Sequence, residues 1–203
     1  MSVVVAAFDV DDTLTVRDCV LPFMRRVGGV SLMVRTAVRS LPLVVRRDRD
    51  GIKAAFVGAV FTQMEVERIE SLGVSFANRV SERWMRQDVA GRMRWHQEQG
   101  HVVVLVSASL SPYLMPLGDL LEVDAVLCTE LQTDGITYTG LIEGRNCRGA
   151  EKADRLRAWC LESGIDIGSI EYAYGDSSGD IELLAMATHG VWVNKTTLSD
   201  VPS

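Results

Sequence analysis

The stretch VVVAAFDVDDTLT, residues 3–15, decides how the rest of the chain is read. Six apolar residues, three of them valines, run unbroken from Val3 to Phe8 and stop at Asp9. A run so short and so apolar suits a strand buried on both faces, the mark of a parallel sheet covered by helices. The pattern returns at 102–106 (VVVLV), 125–128, 170–174 and 190–193. Helical patterns fall between these runs, at 90–99 before Gly100, at 112–121, at 150–163 before Gly164, and at 181–187. Strands alternating with helices of this length predict an α/β fold, a doubly wound parallel Rossmann-like sheet.

Two segments interrupt the alternation. Residues 17–87 hold no convincing strand and read as several helices, with turn signals at Gly28-Gly29, near Pro42, at Asp50-Gly51 and at Gly73. They put some ninety residues between the first two strands, far beyond an ordinary crossover. The expected organisation is a core of 1–16 and 88–203 with a helical cap, 17–87, inserted after the first strand. Residues 129–144 (TELQTDGITYTGLIEG) predict a β-hairpin turning at Asp134-Gly135.

At 203 residues the chain can bury a sizeable core, and 47% apolar with 24% charged residues excludes a disordered or fibrous protein. The net charge of −6 is unevenly spread, since residues 17–49 carry eight arginines against Asp18 and Asp48. An acidic body argues against general nucleic-acid binding, while the basic segment suits an anionic substrate or a membrane surface. Cysteines 19, 128, 147 and 160 form no CxxC pair and predict reduced, buried thiols in a cytoplasmic protein. The N-terminus lacks a basic region before its short apolar run, so no signal peptide is expected, and no stretch predicts a transmembrane helix.

The chemistry is expected beyond the carboxyl ends of the strands, where open α/β sheets bind ligands. Asp9, Asp11 and Asp12 crowd three carboxylates into four residues, which repel unless a cation or phosphoryl group is near. A second acidic loop, Gly175-Asp176-Ser177-Ser178-Gly179-Asp180, follows a later strand. Asp9 and Asp176 with a few waters suit Mg²⁺, which favours one or two carboxylates plus substrate phosphate. Asp180 doubles as a helix N-cap, compatible with a metal role. Ser107, after VVVLV, is either a helix cap or a hydroxyl beside the first loop. Lys152 opens a helix, where it opposes the macrodipole unless an anion is close; otherwise it is a surface lysine. Together these parts suit one reaction, in which a carboxylate attacks phosphorus and a second carboxylate two residues on handles protons.

In these motifs the chain resembles the haloacid dehalogenase superfamily of phosphohydrolases. DxDxT stands at Asp9–Thr13, the strand-end serine at Ser107, the lysine at Lys152 and GDxxxD at Gly175-Asp176 to Asp180, in family order across nearly the whole chain. The inserted helices resemble the cap of the phosphoserine phosphatase-like branch. The resemblance implies a phosphatase whose nucleophile is Asp9, forming an aspartyl-phosphate, with Asp11 as general acid and base. It implies Mg²⁺ on the Asp9 carboxylate, the Asp11 backbone carbonyl and Asp176, with Asp180 supporting the metal site. Thr13, Ser107, Ala108 and Lys152 would orient or neutralise the phosphoryl group, with Arg148, one helical turn earlier, as the fallback cation.

Phosphoserine phosphatases generally carry Ser-Gly-Gly at the second motif; here the residues are Ser107-Ala108-Ser109. Their glutamate for the substrate amine is replaced by Asp18. The stretch expected to supply an arginine for the substrate carboxylate, 53–64 (KAAFVGAVFTQM), offers only Lys53. The expected partner is therefore a small phosphomonoester other than phosphoserine. Segment 19–47 mixes Leu, Val, Met and Phe with arginines, as a cap with a wet face or as an interfacial segment admitting a phospholipid or lysophospholipid phosphate. A reading from another class, a phospho-acceptor receiver-like signalling module, fits the clustered aspartates but not the long insertion or the second acidic loop. Histidines 96, 101 and 189 share no ligand spacing and are expected to be structural.

Overall fold

A computed structural model describes residues 3–193 and 198. Five parallel strands form the central sheet: β1 (Val5–Phe8), β2 (Val102–Leu110), β3 (Ala125–Thr129), β6 (Ile170–Gly175) and β7 (His189–Trp192), in the order β3-β2-β1-β6-β7. Alternate residues of β1 face opposite layers, and all four are buried. Ala6 and Phe8 join one core cluster with Leu105 and Tyr174; Val5 and Ala7 join the other with Leu156, Cys160 and Leu183. This two-sided burial is why the first strand has no polar alternation.

Helices α5 (Gln87–Glu98) and α6 (Ser111–Leu120) belong to the first layer, α7 (Ala150–Glu162) and α8 (Ile181–Met186) to the second. Strands β4 (Leu131–Thr133) and β5 (Tyr138–Ile142) form the antiparallel hairpin. Asp134 closes its turn by accepting from Ile136 N at 2.9 Å and Thr137 N at 2.7 Å. All four cysteines are buried and free of disulfides.

The inserted stretch folds as α1 (Val20–Arg39), α2 (Leu41–Val45), α3 (Arg49–Phe61) and α4 (Val66–Arg83). Three expected turns lie inside helices. Gly29, at φ 75°, kinks α1 without ending it. Asp50-Gly51 forms the first turn of α3, where Asp48 caps by accepting from Gly51 N at 2.8 Å. Gly73 lies within α4 because that helix presses on the start of α6: a Cβ there would stand 1.8 Å from the Pro112 carbonyl oxygen. Phe76 and Tyr113 close the same contact with ring centroids 5.2 Å apart, so the last inserted helix is fastened to the core. The hairpin in turn backs α3 and its exit, with Gln63 N donating to Tyr138 O and Val66 N to Ile136 O. No helix among the described residues is long and apolar enough to cross a membrane.

Candidate active site

Register explains why the acidic loops meet. Phe8 pairs with Leu105 on one side and Tyr174 on the other. Asp9 N extends the ladder by donating to Tyr174 O at 2.9 Å. Asp9 therefore leaves the sheet between the ends of β2 and β6, which deliver Ser107 and Asp176. The chain then makes a tight turn over Val10–Leu14, with Asp12 in the left-handed region at φ 59°, which aspartate tolerates better than most residues.

Lys152, in the first turn of α7, reaches across to Asp9 Oδ1 at 2.5 Å and also donates to Asp180 Oδ1. The Lys152 side chain is 2% exposed. Burial alone would lower its pKa, but the two carboxylates win and hold it above the ordinary lysine range. They also answer the unfavourable helix dipole. Burial raises the Asp9 carboxyl, and Lys152 pulls against that rise.

Asp180 is occupied on both oxygens. Oδ1 faces Lys152, while Oδ2 accepts from Ser177 N at 3.0 Å, Ser177 Oγ at 3.1 Å and Asp176 N at 3.3 Å. It braces the loop that carries Asp176. Gly175 is required for this fold-back, since a Cβ there would lie 2.5 Å from that of Asp180. Burial, then the neighbouring Asp9 and Asp180 charges, push Asp176 up to about 6.

The expected sites separate into those facing a cavity of about 230 Å³ and those behind or beside it. Asp9, Asp11, Ser107, Ala108, Lys152 and Asp176 line it, joined by Asp180 and by two arginines, Arg49 from α3 and Arg148 before α7. Arg148 lies across Gly179 at the rim, whereas Lys152 makes the direct contact with Asp9. Thr13 is fully buried and is not part of the lining. Its hydroxyl stands 3.0 Å from Asp9 Oδ2 and 3.2 Å from Asp176 Oδ1, so it spaces two carboxylates. Asp18 is also outside this cavity: its carboxylate accepts from Val20 N at 3.3 Å and Leu21 N at 3.1 Å, capping α1.

Residues that the motifs did not single out complete the arrangement. Ser109 Oγ donates to Asp11 Oδ2 at 2.7 Å, and Cys19 N donates to Asp11 Oδ1 at 2.9 Å. Burial, followed by the Asp18 and Asp9 charges, pushes Asp11 up to about 7. Lys53 turns away from any ligand role. Its ammonium donates to the Ala108 carbonyl, to Thr129 Oγ1 at 3.1 Å and to Asn146 Oδ1 at 2.6 Å, while Asn146 also donates to Asp50 at 2.6 Å. The start of α3 is thereby pinned to the loop after β2. A second recess, about 530 Å³ and largely apolar, is lined by Leu21, Pro22, Met33, Val34, Ala37 and Phe56, with Arg17, Asp18 and Arg25.

Carboxylate oxygens of Asp9, Asp176 and Asp180 lie within 4.8 Å of one another. Such hard oxygen donors fit a magnesium-type cation. The Thr13 hydroxyl stands between the Asp9 and Asp176 carboxylates, and Lys152 pairs with Asp9 and Asp180.

Fold and motif order define the class, and residues 6–185 match the family model for haloacid dehalogenase-like hydrolases. The chain belongs to that family of hydrolases. It is similar to protein CicA of Caulobacter vibrioides, 33% identical over 185 residues that span 89% of this chain and 82% of that one. Among solved structures it superposes on a Bordetella pertussis protein of unknown function with a TM-score of 0.76 at 22% identity, covering 97% of this chain and 92% of that chain. It also superposes on a phospho-aspartyl intermediate analogue of phosphoserine phosphatase, TM-score 0.64 at 20% identity, covering 92% and 84%.

Proposed function

We propose that this protein is a Mg²⁺-dependent phosphomonoesterase that works through an aspartyl-phosphate on Asp9. The observation that carries the reading is the buried Asp9 carboxylate at the carboxyl edge of the sheet, 2.5 Å from Lys152, with Asp11 held two residues on. Asp9 attacks phosphorus as the bond to the leaving oxygen breaks, and Asp11 gives that oxygen its proton. Water then attacks the phosphorus, Asp11 takes the water's proton, and the bond to Asp9 breaks to release phosphate. Mg²⁺ held by Asp9, the Asp11 backbone carbonyl and Asp176 would cancel the repulsion between nucleophile and phosphoryl oxygens. Ser107, Ala108 and Lys152 would surround the transferred group. In this reading residues 17–87 are the cap over a core of 1–16 and 88–203.

In this reading the substrate is a phosphomonoester other than phosphoserine. Lys53 is committed to three acceptors on the core, and Asp18 caps α1. Neither offers a clamp for the amine and carboxylate. The apolar recess favours a second, narrower reading, a phosphomonoester on an amphiphilic alcohol such as a lysophospholipid phosphate. Its rim continues into a face of α1 and α2 that exposes Val30, Val34, Val38, Leu41 and Val45 among Arg35, Arg39, Arg46 and Arg47, suited to peripheral contact with anionic lipid. The test is phosphate release from sugar phosphates, nucleotides, phosphoserine and lysophosphatidic acid, with wild type and Asp9→Asn, with and without Mg²⁺. Release should need both Asp9 and Mg²⁺ and should favour the amphiphile. Release that survives Asp9→Asn would overturn the mechanism, and a preference for phosphoserine would overturn the substrate class.

A further inference from the structure

Asp11 is gripped from two sides by groups that can only donate to it as arranged. Cys19 N supplies Oδ1 with a hydrogen bond of 2.9 Å, and Ser109 Oγ supplies Oδ2 with one of 2.7 Å. Ser109 is set in turn by Tyr113, whose hydroxyl donates to Ser109 Oγ at 2.8 Å. That donation fills a lone pair on Ser109 and leaves its one hydrogen for Asp11. Both hydroxyl residues are fully buried. Tyr113 is wedged between Phe23 and Phe76, at centroid distances of 4.9 and 5.2 Å, so the chain ends on a side chain with little freedom. Ser109 N also donates to the hydroxyl of the cavity residue Ser107 at 3.1 Å.

A buried hydroxyl costs stability unless it is paired, and two in series ending on a carboxylate form a directed network. Each Asp11 oxygen already receives one donor from the protein. A proton on Asp11 must therefore occupy a remaining lone pair, and Asp11 lines the acidic cavity. We infer that Ser109 and Tyr113 are positioning residues that hold the Asp11 carboxyl so that its proton is delivered to the leaving oxygen. The inference rests on the phosphatase reading above, with Asp11 as the acid. It also gives a reason for serine at the third position of Ser107-Ala108-Ser109: a glycine there has no hydroxyl to grip Asp11.

The test exploits the leaving group. A p-nitrophenolate departs without a proton, whereas an alkoxide such as that from glycerol 2-phosphate needs one. First-turnover release of the leaving group is measured by rapid quench on wild type, Ser109→Ala, Ser109→Thr and Tyr113→Phe, with Mg²⁺. Ser109→Ala should slow the alkyl ester on the order of tenfold, a part of the 10²–10⁴ that general acid catalysis supplies, and p-nitrophenyl phosphate by no more than about twofold. KM should hold for both, and Ser109→Thr should restore the alkyl rate. Tyr113→Phe should show the same selective loss more weakly, which keeps the inference testable if Ser109→Ala fails to fold. Equal slowing of both esters, a change in KM alone, or no change overturns it. The phosphatase reading fails separately, if wild-type release does not depend on Asp9, and this inference falls with it.

Discussion

The two recesses are built on opposite terms. The acidic cavity at the sheet edge is walled largely by polar and charged side chains, and both carboxylate oxygens of Asp9, Asp11 and Asp180 are bonded to named donors. The apolar recess on the inserted helices is walled mainly by apolar side chains, among them Leu21, Met33, Val34 and Phe56. In the proposed reading the first fixes what bond can be broken, and the second sets which molecule carries that bond. Directional pairing in a low-dielectric site is costly to disturb, whereas an apolar wall tolerates change of shape.

That contrast breaks most readily at Lys152. Lys152→Met removes the shared partner of Asp9 and Asp180 and leaves two buried carboxylates facing each other. The expected loss is about 3–5 kcal/mol of unfolding free energy, read from urea titration. The Arg157–Asp154 pair, with both side chains about half exposed, offers the control; Asp154→Ala should cost under about 1 kcal/mol. Equal costs would mean that the cavity is solvated like a surface. Gly73→Ala tests which side of the boundary α4 belongs to. Its methyl would strike the Pro112 carbonyl, and the overpacking should cost about 1–3 kcal/mol, visible as a lower Tm. A neutral result would show that α4 moves with the cap and is not fastened to α6.

Specificity should respond more gently. Val34→Glu puts a charge on the wall of the apolar recess. It should lower the kcat/KM ratio of lysophosphatidic acid to glycerol 2-phosphate about tenfold, or 1.4 kcal/mol. An unchanged ratio would remove that recess from substrate binding.

The smallest effect at neutral pH concerns His96, buried beneath the sheet with Nε2 2.9 Å from Tyr174 Oη. Burial, helped by His101 and Arg92, pulls it down to about 3 from an ordinary 6.5. The unfolded chain therefore binds a proton below about pH 6.5 that the folded chain refuses, and stability is lost as pH falls from there toward 3. His96→Gln should flatten the decline in Tm between pH 7 and 5; a decline as steep as wild type would mean that other groups carry it.

The same contrast explains what could be read from sequence. The sheet and its acidic loops were legible because unbroken apolar runs ending in Asp, Gly and Ser leave few other interpretations. The inserted helices were legible as helices but not in their joints. Gly73 punctuates the sequence like a turn, yet it serves a close backbone approach, and only the partner helix distinguishes the two. Asp18 and Thr13 carry the right chemistry in the right motif, but one caps a helix and the other spaces two carboxylates, which depends on side-chain direction. Ser109 became visible only through the register that sets it beside Asp11. His96 and His101, five residues apart across the link from α5 to β2, meet at 2.8 Å, while His189 reaches the same area because β7 neighbours β6, and it stacks on Tyr172 at 5.1 Å.

The central claim is that Asp9 carries the phosphoryl group. The direct measurement is to quench the enzyme during turnover with Mg²⁺, reduce acyl-phosphates with borohydride, and locate the modified residue by peptide mass spectrometry. The account predicts reductive conversion at Asp9 in wild type, with none at Asp11 and none in Asp9→Asn. Conversion at another carboxylate, or phosphate release with no trapped acyl-phosphate at any residue, would contradict it.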